Sequence, residues 1–217
     1  MIEVVNVTKW YPTRNGPFVV IRDLNVTFET GKSVGILGRN GVGKSTLLRL
    51  LGGLDMPNKG EIRTTQTISW PVGGANIKAT LTGRENTLFI ATIYGYQGKF
   101  LKQVIDFVQD FADIGNFFDM PVKSYSSGMK SRLAFGISMA FDFDYYLMDE
   151  IFAAGDPSFK AKCNALMAEK RKTSQFLIVS HAMGPISAIC DVGLVLERGK
   201  ISCYDNIKDA IAHYKAL

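Results

Sequence analysis

The chain has 217 residues, 47% of them hydrophobic, which suffices to bury a substantial core in one compact unit with at most an inserted subdomain. A net charge of +5 and an isoelectric point near 9.0 suit anionic partners (nucleotides, lipid surfaces, nucleic acid or an acidic polymer) without choosing among them. No apolar run approaches the roughly 18 to 20 residues that span a bilayer, and the opening MIEVVNV alternates like a strand instead of showing the basic and apolar blocks of an export signal.

In chain order, MIEVVNV and FVVIRDLNVTFE read as antiparallel strands. KSVGIL is a short apolar strand that runs into a Gly-rich turn and the helix KSTLLRLLGGL. From about Arg84 to Phe117 the spacing turns helical, in RENTLFIATIYGY and KFLKQVIDFVQDFADI. KSYSSGMKSRLAF then sets two serines before a helix-like run with Leu133, Phe135 and Ile137, so Ser126 or Ser127 is a good N-terminal cap. Beyond it, the strands DYYLMD, QFLIVS and VGLVLE alternate with the helical segments PSFKAKCNALMAEKRK and GPISAIC. That alternation predicts an α/β fold: a parallel sheet flanked by helices, an antiparallel β part at the N-terminus and a mostly helical insertion in the middle. Cys163, Cys190 and Cys203 have no metal-like spacing and read as free thiols in a reducing cytoplasm; Glu169 to Lys172 reads as a solvated helix face.

Gly38 to Ser45, GRNGVGKS, fits G-x-x-x-x-G-K-[ST] between a predicted strand and a predicted helix. Glycines let backbone N–H groups curl inward onto phosphate oxygens, and the helix adds its positive end. Lys44 is placed to neutralise β/γ oxygens and Ser45 to offer a hydroxyl to Mg²⁺, so the chain is expected to bind a nucleoside triphosphate. DYYLMDE ends an apolar strand in Asp149 and Glu150, at the sheet edge where ligands of such folds bind. Asp149 is the expected outer partner of Mg²⁺, and Glu150 the acceptor of a proton from attacking water. His181 follows another strand, FLIVS, and points to a γ-phosphate contact.

These residues resemble the ATP-binding cassette ATPases, the nucleotide-hydrolysing subunits of ABC transporters, over essentially the whole chain. Gly38 to Ser45 is similar to the Walker A motif, YLMDE to Walker B, Tyr125 to Met129 (YSSGM) to the signature, Ala153 to Asp156 to the D-loop and His181 to the switch histidine. The resemblance implies a P-loop NTPase fold with a RecA-like parallel sheet, the catalytic core covering about 1–71 and 142–217 and a helical subdomain about 72–141. It implies ATP contacts from Gly38, Arg39, Asn40, Gly41, Val42, Gly43, Lys44, Ser45 and Thr46, with Tyr11, or alternatively Trp10, stacked on adenine. It also implies that Ser126 and Gly128 serve ATP held by a second copy of the chain. Two departures stand out. The signature carries Tyr125, Ser127 and Met129 where the family has Leu, Gly and Gln, and Trp70 to Leu81 contains no Q-loop glutamine, with Asn76 or Lys78 as substitutes.

The combination ISWPVG, LTGREN, YSSGM and FDYY is similar to a narrower group, the ATPase subunits of capsular polysaccharide exporters, including the polysialic acid type; exporters of O-antigen and teichoic acid share parts of it. The implied partners are a second copy, a membrane-spanning permease that selects the glycan, and the polysaccharide export machinery, at the cytoplasmic face of the bacterial inner membrane. Nucleic acid is not expected, since soluble ABC ATPases that work on it generally carry paired cassettes or a long coiled-coil insertion. A nucleotide-binding regulator without turnover is the third reading, suggested by the absent glutamine.

Overall fold

The computed structural model describes residues 1–72, 77–149, 156–180, 183–197 and 199–217. It divides into two units, Met1–Pro71 with Phe143–Phe152 and Lys170–Leu217, and Val72–Asp142 with Ala153–Glu169.

In the first unit, β1 (Ile2–Thr13) pairs antiparallel with β2 (Gly16–Phe28) on one side and with Lys59–Thr64 (β4) on the other. Alternating residues Ile2, Val4, Leu24, Val26 and Phe28 turn inward, as the period of two requires. A second sheet has the order β5-β6-β3-β7-β8, with β3 (Val34–Leu37), β5 (Tyr145–Asp149), β6 (Gln175–Val179) and β7 (Val192–Glu197) parallel. β8 (Lys200–Tyr204) closes one edge antiparallel. β3, at the centre, is buried along its whole length, which explains its unbroken apolar sequence. Helix α1 (Lys44–Leu51) packs Leu47, Leu48, Leu50 and Leu51 into one cluster with Phe28, Ile36, Leu147 and Leu177, drawn from both sheets. The Tyr145 hydroxyl donates to the Glu29 carbonyl at 3.0 Å, so even this core phenol is satisfied. Helices α6 (Met183–Ile189) and α7 (Ile207–Lys215) complete the unit, and Ala210 of α7 lies so close to Gly193 that a Cβ there would overlap its methyl.

The second unit is built from α2 (Gly83–Ile93), α3 (Gly98–Ala112), α4 (Ser127–Met139) and most of α5 (Pro157–Lys170). Phe111 stacks on Phe135 at 5.6 Å, and Phe159 meets both edge-on at 5.6 and 6.3 Å. Through Phe159, α5 belongs with the helical unit, whereas the sequence expectation placed all of 142–217 in the core. Cys163, Cys190 and Cys203 are free; burial pushes the first two thiols up to about 11 and about 12.

β4, β8 and α7 were not visible in the sequence. KGEIRT buries only part of Ile62, and KISCY is half exposed, so neither shows the alternation of a half-buried strand. Their pairing partners make them strands.

Candidate functional site

The loop between β3 and α1 passes close to neighbouring backbone. Gly38 has φ +154°, and a Cβ there would meet the Leu196 carbonyl oxygen at 2.5 Å; Gly43 has φ +110°, and its Cβ would meet Val20 Cγ1 at 2.8 Å. Side chains are therefore excluded at both ends of the loop. Val42 N–H donates to the Arg39 carbonyl at 3.3 Å, tightening the turn between them.

Helix α1 starts immediately after Gly43, which has no side chain to accept a first-turn amide, and its first turn carries no acidic residue. By contrast α2, α4 and α7 begin at Thr82, Ser126 and Asn206, whose side-chain oxygens accept amides. The α1 N-terminus thus presents backbone donors and the positive end of its dipole to an anion. Lys44 is 7% exposed, and its ammonium donates to the carbonyls of Gly38 at 2.6 Å and Arg39 at 3.1 Å, folded back over the loop.

This loop forms one end of an open cavity of about 560 Å³. Asn40, Gly41, Gly43, Lys44, Ser45 and Thr46 of the loop and α1 line it together with Tyr11, Phe18 and Val20 of the β1–β2 hairpin. Backbone and side-chain donors from the loop beside the Tyr11 and Phe18 rings are a lining that suits a nucleotide. Tyr11 is held firmly. Its hydroxyl donates to Asp55 Oδ2 at 2.8 Å, and Lys9, 4.9 Å from its ring centre, donates to Asp55 Oδ1 at 2.6 Å and to the Met56 carbonyl at 2.8 Å. Burial works against ionisation of Asp55, but hydrogen bonds from Lys9, Tyr11 and the Met56 N–H outweigh it, and its carboxyl lies below the usual range. Trp10 is not among the cavity-lining residues; its backbone N–H donates to Asn58 Oδ1 at 2.8 Å. Arg39 and Val42 also do not line the cavity. The sequence reading missed Phe18, Val20 and Asp55; the facing of Phe18 against Tyr11 across the β1–β2 ladder is their only trace, visible once the hairpin register is known.

At the sheet edge, Asp149 pairs with Val179, which pairs in turn with Ile36 just before the loop. Two strand spacings, about 10 Å in all, separate the Asp149 backbone from that of Ile36. Half-buried Asp149 therefore stands at the same edge as the loop. Glu150, His181, Asn76 and Ala153 to Gly155 lie outside the described residues.

In the second unit, Ser126 caps α4, its Oγ accepting the Met129 N–H at 3.2 Å, and the nearest neighbour of a Cβ built on Gly128 is that Oγ at 3.9 Å, so this turn is sterically open. Ser126, rather than Ser127, is the cap. Tyr125 beneath it is 5% exposed; its hydroxyl donates to the Phe117 carbonyl at 2.6 Å and accepts the Gly83 N–H, an orphan amide of the α2 start, at 3.2 Å. Burial pushes this phenol's pKa up, so it stays a donor. Tyr125→Phe would leave the Gly83 N–H unpaired, while the Phe117 carbonyl keeps the Met120 N–H at 2.8 Å, and is expected to cost about 1 to 3 kcal/mol, read as a lower urea midpoint at unchanged slope. Fully buried Asn86 holds the chain entering α2: it accepts the Lys78 N–H at 2.7 Å and donates to the carbonyls of Lys78 and Thr82 at 3.1 and 2.8 Å. The Lys78 backbone is thereby tied to α2.

The chain belongs to the ABC transporter family, whose profile matches residues 21–153, and it is an ATP-binding, ATP-hydrolysing cassette. Among its relatives, the polysialic acid transport ATP-binding protein KpsT of Escherichia coli is 51% identical over 217 residues, covering 99% of this chain and 96% of its own. The capsule polysaccharide export ATP-binding protein CtrD of Neisseria meningitidis serogroup B is 42% identical over 218 residues, covering 100% of both. Among solved structures, a dimeric post-hydrolysis state of the ATP-binding cassette MJ0796 bound to ADP and Pi superimposes with a TM-score of 0.81 at 21% identity, over 95% of this chain and 99% of that one, a likeness of fold.

Proposed function

We propose that this chain is the ATPase subunit that powers export of a capsular polysaccharide across the bacterial inner membrane, bound peripherally at its cytoplasmic face. The observation that carries the reading is end-to-end similarity, at 51% and 42% identity, to relatives named for polysialic acid transport and capsule polysaccharide export. No helix among the described residues is long and apolar enough to cross a membrane, so the path for glycan belongs to a permease. Exposed Leu88, Phe89 and Ile93 on α2, with Phe100 at the start of α3, offer that partner an apolar dock.

ATP lies with its phosphates on the 38–46 loop and its base against Tyr11. Lys44 turns from the loop carbonyls to the β/γ oxygens, and the α1 amides share the remaining charge. The hydroxyl of Ser45 and the carboxylate of Asp149 are hard oxygen donors at one sheet edge, a set that suits Mg²⁺ with its retained waters. The ion supplies neutralisation of the charge that develops on the transferred phosphoryl group. Glu150 takes the proton of the attacking water, and His181 holds the γ-phosphate. Ser126 and Gly128 of a second copy close over the same phosphate. ATP thereby stabilises the closed pair of subunits over the open one, and hydrolysis removes that difference, so the cycle opens and closes the permease.

Tyr11→Ala is expected to weaken ATP binding about 5- to 150-fold, the equivalent of ~1 to 3 kcal/mol of base stacking, with Trp10→Ala nearly silent in the same titration. The export role itself is tested in cells. Deleting the gene should leave a long acidic polysaccharide inside the cell, with wild-type chain and not Lys44→Ala returning it to the surface. Normal surface polysaccharide in the deletion strain would reject the reading.

A further inference from the structure

The geometry points to Arg132 as a positioning residue: its guanidinium ties the signature helix α4 to Asp156 at the end of the D-loop, so that both segments reach the second copy's ATP as one piece. This rests on the two-copy reading above.

Arg132 lies four residues after Gly128, one helical turn deeper on the same face. Its Nη2 donates to Asp156 Oδ2 at 2.6 Å, and its Nη1 donates to the carbonyls of Ala112 at 3.3 Å and Asp113 at 3.2 Å, at the C-terminal end of α3. The guanidinium lies 4.8 Å from the Phe159 ring centre, and the side chain is 19% exposed. One planar fork therefore joins three helices, and a lysine ammonium, a point charge without the fork, cannot reproduce it.

The other side of the contact is equally committed. Asp156 Oδ1 accepts the Ser158 hydroxyl at 2.7 Å and the Phe159 N–H at 3.0 Å, starting α5, while Oδ2 takes Arg132. Hydrogen bonds from Ser158 and the Phe159 amide, followed by Arg132, hold this carboxyl far below the usual carboxylate range. Asp113, whose carbonyl accepts from Arg132, adopts a left-handed φ of +47° as the α3 C-cap, so the guanidinium also steadies a strained corner. A packing role alone would need the rings and the helix ends. The direct ion pair to Asp156 adds a mechanical link between the two segments that face the partner's nucleotide.

Asp156→Asn is the discriminating variant, because Asn also caps helices well and α5 keeps its start while the charge of the pair is lost. Arg132→Lys keeps the charge and loses the fork. In both, ATP binding by the monomer should match wild type, while kcat falls roughly tenfold and the ATP needed to dimerise the same variant in a Glu150→Gln background rises roughly tenfold. Wild-type kcat and wild-type dimerisation in both variants, whatever their unfolding temperatures, would overturn the positioning role alone. A Glu150→Gln parent that stays monomeric with ATP would instead overturn the two-copy reading, and the positioning role with it.

Discussion

Lys44→Ala is expected to lower ATP hydrolysis by about 10²- to 10³-fold at saturating Mg²⁺ and ATP, the range seen when one preorganised donor to a developing negative charge is removed. The physical reason is that Lys44 is, among the described residues, the one cationic side chain lining the cavity, buried where a charge-assisted contact to phosphate is screened least. Its ammonium also spans the carbonyls of Gly38 and Arg39, so the same substitution frees the loop that orients the α1 amides. Both effects act in one direction. Phosphate release by the purified variant checks the expectation, and turnover within about threefold of wild type would remove Lys44 from the phosphate site.

Glu150→Gln is expected to lower kcat by about 10²- to 10⁴-fold while leaving ATP affinity nearly unchanged, because the amide still accepts a hydrogen bond from water but cannot take its proton. Glu150 follows Asp149, which ends β5 at the same sheet edge as the phosphate loop. The split between kcat and binding matters more than the size of the loss. An ATP affinity that fell in parallel with kcat would mark Glu150 as a ground-state binding group instead of a base. Asp149→Asn differs in kind: it removes an oxygen charge from the proposed ion site, and its defect should lessen as Mg²⁺ is raised.

The tight turn between β3 and α1 was legible in the sequence because its requirements are local: glycines where the backbone crowds Leu196 and Val20, and a lysine one residue later that can reach back over the turn. The parallel sheet was legible for a similar reason, since strands buried on both faces read as apolar runs. Tyr11 and Trp10 could not be separated, because strand alternation puts neighbours on opposite faces without saying which face meets the ligand. The register that sets Tyr11 opposite Phe18, and the bond from its hydroxyl to Asp55, place Tyr11 on the cavity wall. Asn86 against Lys78, Tyr125 against Gly83 and Arg132 against Asp156 join residues 8, 42 and 24 positions apart, and no local pattern announces such pairs. Each uses a polar side chain to satisfy a backbone or carboxylate group of another segment. The assignments of Glu150 and His181 rest on the sequence.

The most direct test is the mass of the Glu150→Gln protein in solution, measured by light scattering with and without Mg²⁺ and ATP. A dimer that forms only with ATP, holds one nucleotide per chain and is abolished by Gly128→Asp without loss of ATP binding to the monomer is the predicted result. A protein that binds ATP yet remains monomeric, or a dimer indifferent to ATP and to Gly128→Asp, would contradict an ATPase site completed by a second copy.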